Sequence, residues 1–183
     1  MKLFETVRQE SFTTWLKRWV FNFFPAYRAT GAWICFLSSD WQEVHIKLSL
    51  KWTTRNYVGT VFGGSLYGAL DPMYMVQLIN ILNGKYVVWD KSATIKFIKP
   101  VKQTVIARFP ITDELIEQIK EKIKIDKEYV FEFPVEFQDD AGKTYVQVTK
   151  QIYVADKDYY RQKHSALRNY RDLSSQQTAA DET

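Results

Sequence analysis

Residues 56–84 read NYVGTVFGGSLYGALDPMYMVQLINILNG, and this stretch carries one charged side chain, Asp71. A quarter of the whole chain is charged, so a run this empty of charge is built for burial. Placed on a helix over residues 65–83, at about 100° per residue, it is apolar nearly all round. Leu66, Leu70, Met73 and Ile81 share one side, while Tyr67, Tyr74, Met75, Leu78 and Leu82 bracket Asp71. A carboxylate drawn out of water there is a poised base or nucleophile. The spacing also allows a plainer reading. Asp followed by Pro and then a helical pattern is how an N-cap with proline at the first helical position looks, with Asp71 capping Pro72–Asn83 and Gly84 ending the helix. If the helix instead starts near Ser65, Pro72 removes the bond to the Gly68 carbonyl and bends it.

Outward from this segment the pattern changes to period two. AWICFLSS and EVHIKLSLKW form a hairpin around SSDW, with Val44, Ile46, Leu48 and Leu50 on one face. His45 falls on the other, polar face and reads as exposed. YVVWDKSATIKFIKP and KQTVIARFPI are two further strands. TDELIEQIKEKIKI is a short helix with Thr112 at its N-cap and two acids in its first turn. YVFEFPVEFQ and KTYVQVTKQIYV alternate around DDAG as a last hairpin, Pro134 marking an edge or bulge. Six half-apolar strands need something to cover one face, and the only long, all-round apolar helix is the one after Gly64. The accounting gives an α+β fold, a curved antiparallel six-stranded sheet wrapped on a buried central helix.

Ahead of the sheet, residues 4–24 repeat apolar side chains at three- and four-residue spacing: Phe12, Trp15, Leu16, Trp19, Val20 and Phe23, with Pro25 closing the segment. Such a stripe is expected to pack on the body of the protein or on a second subunit, although with Arg8, Lys17 and Arg18 on other faces it suits a membrane surface as well. The division expected is an N-terminal amphipathic helix over 1–28, a main domain over 29–156 and a polar tail over 157–183.

Composition excludes several classes. The net charge of +4 is mild and the basic residues are scattered, so no nucleic-acid surface is expected. Cys35 is the only cysteine, which rules out an intrachain disulfide and a thiolate zinc site. TTWLKRWVFNFF is broken by Lys17 and Arg18 and lacks a cleavage site, and no apolar run could cross a bilayer, so a cytoplasmic protein is expected. There is no Gly-x-Ser-x-Gly elbow, phosphate loop, dinucleotide fingerprint or metal-ligand cluster.

NYVGTVFGGSLYGALD resembles the signature of hot-dog fold acyl-CoA thioesterases of the phenylacetyl-CoA thioesterase type. In those an Asn, then His-Gly-Gly, then an acid nine residues after the His mark the start of the central helix. Asn56, Gly63, Gly64 and Asp71 match, and the strand order agrees over roughly residues 30–155. The Gly-Thr-x-Phe-Gly-Gly form, the Asp-Pro pair and VVWDKSATIKFIKP resemble an uncharacterised branch of that superfamily more closely still. Phe62 stands where the thioesterases have His, and phenylalanine cannot take over that hydrogen bonding.

The resemblance implies hydrolysis of an acyl-CoA or acyl carrier protein thioester without a cofactor, at a site between the subunits of a homodimer or a dimer of dimers. It implies Asp71 as general base or nucleophile, the backbone N–H of Gly64 as oxyanion donor and Asn56 as a positioning group, with no metal. Phe62, Gly63, Ser65, Tyr67 and Tyr74 are the expected substrate contacts, although Ser65 also suits an N-cap and the two tyrosines suit the core. Lys91, Lys96 and Lys99 could meet coenzyme A phosphates or form a solvated strand face. A hydratase would need a site histidine, and only His45 and His164 exist. The reading from another class is a non-catalytic acyl-binding or assembly module.

Overall fold

The computed structural model describes residues 6–165. Six antiparallel strands form one sheet: β1 (Trp33–Leu37), β2 (Glu43–Leu48), β3 (Tyr86–Phe97), β4 (Val105–Pro110), β5 (Glu128–Gln138) and β6 (Thr144–Asp156). The sheet order is β1-β2-β4-β5-β6-β3. Consecutive β3 and β4 are therefore not neighbours; among the described residues β3 pairs with β6 alone and forms a free edge. Pro134 lies in the part of β5 that β4 does not reach, where a missing N–H costs no ladder bond.

The central apolar segment forms two helices, α3 (Gly63–Leu70) and α4 (Met73–Ile81). The break falls at Asp71-Pro72, because Pro72 has no N–H to give to Gly68. The bent alternative is the one realised. Ala69, Leu70 and Leu78 are fully buried against Ile46, Phe109, Phe137, Ile152 and other strand residues in one core. Each such leucine contributes about 1.5–3 kcal/mol from burial. Gln77 fastens α4, its Nε2 donating to the carbonyls of Trp41 (2.8 Å) and Phe109 (3.0 Å). A further helix, α5 (Asp113–Asp126), joins β4 to β5, with Thr112 accepting from the Leu115 amide as its N-cap.

At the N-terminus, α1 (Phe12–Phe23) and the short α2 (Pro25–Ala29) precede the sheet. The expectation that the apolar stripe of α1 packs on the body fails. Thr14 and Asn22 face inward instead. The Asn22 side chain mimics a strand residue at the edge of β1, donating to the Ile34 carbonyl (2.9 Å) and accepting from the Ile34 amide (2.8 Å). Only Trp19 and Phe23 of the stripe reach the body, edge-on to Trp33.

His45 is also corrected: it is buried, not exposed. Residues 6–11 run beside the β1–β2 turn and the start of β2, tied by Thr6 Oγ1 to Glu43 Oε2 (2.6 Å), by the Gln9 carbonyl to the Ser39 amide (2.8 Å), and by Arg8 to Asp40. A strand covered on both faces buries its alternate polar positions too. His45 Nε2 lies 2.7 Å from Glu43 Oε1, which also pairs with Arg108 Nε at 2.5 Å. Burial holds the His45 pKa below the usual imidazole range, although the bond and charge of Glu43 oppose this. For Glu43, burial pushes upward, but its bonds to Thr6, Arg108 and His45 and the Arg108 charge together bring it below the usual range.

Candidate active site

Phe62 is the N-cap of α3, with extended backbone and no side-chain cap bond. The first amides of that helix, at Gly63, Gly64 and Ser65, have no intrahelical acceptor and lie at the positive end of its dipole. Ser65 is inside the helix and buried, so it is not the N-cap. Two half-exposed aromatic rings rest on the glycines. A Cβ on Gly64 would meet the Phe62 ring at 2.3 Å, and one on Gly63 would meet the Phe97 ring at 3.1 Å. The space left by the missing Gly64 side chain is thus taken by Phe62.

Asn56 shapes the loop before the helix. Its Nδ2 donates to Thr60 Oγ1 (2.8 Å), its Oδ1 accepts from the Thr60 amide (2.9 Å), and its own amide donates to the Thr60 carbonyl (2.8 Å). Asn56 and Gly63 line an open cleft of about 380 Å³ with Val58, Leu66, Phe97, Ile98 and Lys99. Lys99 is the one lysine of the three on or beside β3 to reach it; Lys91 stands over the Tyr153 ring, and Lys96 is exposed.

Asp71 does not line that cleft. It sits eight residues beyond Gly63, about 12 Å along a helix rising 1.5 Å per residue. Nor does it cap α4. Its backbone is helical at the C-cap of α3, and Pro72 occupies the N-cap position of α4 with no side-chain bond. The Asp71 carboxylate, 46% exposed, accepts at Oδ1 from Lys150 Nζ (2.7 Å).

Lys150 is the residue that sequence reading missed. It projects from β6 in the inward series Val146, Val148, Lys150, Ile152, Val154, and is 1% exposed. A charge at that depth needs partners. Lys150 has Asp71 on one side and Asp90 on the other, where Nζ lies 2.9 Å from Oδ1 without hydrogen-bond geometry. Burial alone would lower the pKa of the amine, yet its bond to Asp71, its close contact with Asp90 and the two negative charges raise it above the ordinary lysine value. Burial raises the Asp90 pKa, against the opposing effect of Lys150. A bulge in β3 between Asp90 and Ser92 marks the position of that carboxylate. Tyr67 completes the group: its ring lies under Nζ at 5.5 Å, and burial followed by its hydrogen bond with Asp71 raises the phenol pKa. The signal was present in KTYVQVTKQIYV as a lysine at an apolar position of period two.

Tyr74 belongs to the core. It packs on Phe109 and Phe133, and its hydroxyl donates to the Pro134 carbonyl at 2.8 Å. Among the described residues, no three of His, Cys, Asp and Glu converge as a metal site, and no helix is long and apolar enough to cross a membrane.

The fold recurs in solved structures. A Pseudomonas aeruginosa protein of unknown function, described as a probable thioesterase, superposes with a TM-score of 0.69 at 15% identity, over 80% of this chain and 97% of that one. A Chlorobaculum tepidum protein of unknown function gives 0.63 at 19% identity, over 79% and 94%. A Haemophilus influenzae thioesterase gives 0.58 at 14%, over 82% and 96%. The architecture is the hot-dog fold. No curated protein matches the chain. The chain belongs to the family described as a domain of unknown function, DUF4442, whose model matches residues 13–154.

Proposed function

We propose that this protein hydrolyses acyl thioesters, carried by coenzyme A or an acyl carrier protein, at a site completed by a second copy of the chain. The observation that carries the reading is the Asp71 carboxylate. It is not used as a helix cap, one oxygen is fixed by Lys150, and close to half of the side chain remains open to solvent. The thioesterases among the structural neighbours support the reaction class.

In this scheme Asp71 takes a proton from water, the water oxygen attacks the thioester carbonyl carbon, and the Gly64 N–H receives the developing oxyanion. Collapse breaks the C–S bond, and the proton on Asp71 passes to the departing thiolate. Direct attack by Asp71, with hydrolysis of the resulting anhydride, is the nucleophilic variant. Lys150 fixes the direction of the carboxylate, Asn56 shapes the cleft wall, and Ser65, Tyr67 and Phe62 stand near the reacting region. No cofactor is required; activity lost on chelation and restored by zinc would contradict that.

What one chain leaves apart supports the proposed dimer. Asp71 lies outside the cleft that holds Asn56 and Gly63, and β3 presents a twelve-residue free edge with Trp89 and Phe97 exposed. Such an edge is a template for pairing with another strand. A second copy set there would bring its own Asp71 or cleft to the first.

Release of thiol from a panel of acyl-CoA substrates tests the activity. Asp71→Asn, with an unchanged circular dichroism spectrum, is expected to lower turnover about 10²–10⁴-fold, the usual worth of a general base. Turnover unaffected by that change refutes the assignment. A second reading, acyl-CoA binding without hydrolysis, is favoured by the Phe62 ring resting on Gly64; tight binding with no thiol release would establish it.

A further inference from the structure

The helix α1 is turned inside out relative to a helix that only covers a core. Its inward contacts come from Thr14, Asn22, the partly buried Phe21 and Trp19, and the Arg18–Glu10 pair, whereas Phe12 (78% exposed), Leu16 (51%), Val20 (64%) and Phe23 (54%) lie on one outward face. Phe24 and Trp15 flank that face, both exposed. Aromatic contacts run along it, from Phe12 to Trp15, Trp15 to Trp19 and Trp19 to Phe23, so it is already ordered without a partner. A patch of this kind on a soluble chain marks a docking surface.

Charge decides what docks. Residues 11–39 contain three cations, Lys17, Arg18 and Arg28, and no Asp or Glu. Arg18 is neutralised by Glu10, whose carboxylate also accepts from the Leu37 amide. Lys17 and Arg28 are exposed, the first over the Trp41 ring and the second over the Phe23 ring, at the margin of the apolar face. An apolar, Trp- and Phe-rich helix face rimmed by cations, whose one adjoining acid, Glu10 beside Phe12 and Trp15, is already paired with Arg18, complements a lipid surface with anionic headgroups. Two copies meeting through the same face would instead bring like charges together.

We infer that the outward face of α1 docks this protein onto an anionic lipid surface, with Phe12, Leu16, Val20 and Phe23 entering the headgroup–acyl boundary and Lys17 and Arg28 meeting the headgroups. This binding goes beyond the hydrolysis proposed above and does not depend on it.

The test is co-sedimentation of the full chain with vesicles of phosphatidylcholine alone and of phosphatidylcholine mixed with phosphatidylglycerol. The expected result is binding to the mixed vesicles, weak binding to the neutral ones, and release as salt screens the headgroup attraction. Leu16→Glu/Val20→Glu is expected to weaken vesicle binding by at least about tenfold, because each carboxylate must enter the boundary. Both side chains are exposed, so its circular dichroism spectrum and its thiol-release activity should match the wild type. Lys17→Gln/Arg28→Gln is expected to remove the preference for the mixed vesicles while leaving the weak binding to neutral ones. No binding of the wild type to mixed vesicles overturns the inference, as does undiminished binding by the Leu16→Glu/Val20→Glu variant. A smaller assembly of that variant in sedimentation velocity without lipid also overturns it, and would make the face a contact between copies.

Discussion

Replacing Lys150 by methionine keeps most of the side-chain length and removes the charge. In the native protein Nζ lies 2.7 Å from Asp71 and 2.9 Å from Asp90, so the two carboxylates share one cation. Without it they face each other across a gap within the range of about 4–6 Å, where one carboxylate raises the pKa of the other. Breaking a buried ion pair by removing one partner costs about 3–5 kcal/mol. Asp71 is 46% exposed and regains water, so the expected loss near neutral pH is smaller, about 2–3 kcal/mol. The loss should depend on pH with a definite sign. A carboxylate whose native pKa lies above its unfolded value of about 4 costs nothing below that value and costs more as pH rises through the native one. Urea unfolding of Lys150→Met followed by circular dichroism should therefore show its largest deficit, relative to wild type, near pH 8 and a much smaller one near pH 4.5. Adding Asp90→Asn should recover about 1 kcal/mol at the higher pH by removing the repulsion. A deficit of equal size at both pH values, or none at all, would refute the shared-cation account.

Two further outcomes follow from the N-terminal region. Asn22→Ala removes both bonds to Ile34 and leaves its buried edge groups unpaired, which should cost about 1–3 kcal/mol and speed hydrogen exchange at the Ile34 amide. For His45 the native pKa is held below its unfolded value by burial, so its contribution to stability is present above about pH 6.5 and is lost as pH falls below that. His45→Gln should flatten that slope of urea midpoint against pH between about 7 and 5.

Much of the fold was legible because burial imposes a period. The six strands and α5 announced themselves by alternation and by the Thr112 cap, and the run from Asn56 to Gly84, charged only at Asp71, had to be the buried centre. The errors have one physical origin: a period tells which residues share a face and is silent on what covers it. His45 shares the polar face of β2, and there the Phe36 ring, 5.1 Å away, and the buried Glu43 pack against it. The stripe of α1 was correctly grouped and wrongly oriented, since the two bonds from Asn22 to the β1 edge turn the helix the other way. Lys150 went unremarked although its inward position is readable from Val148 and Ile152 on either side.

By itself the sequence determined the α+β order, the apolar helical segment and the solitary acid within it, because helix and strand periodicity are local properties, and it left open whether Asp71-Pro72 begins a helix or bends one. Only the tertiary structure decided what that acid does. Asp71 and Lys150 are 79 residues apart and meet only when β6 is laid against the central helix. The separation of Asp71 from the Asn56–Gly63 cleft, and the outward turn of α1, were likewise set by packing, because a side chain's electrostatic surroundings belong to the elements that close around it.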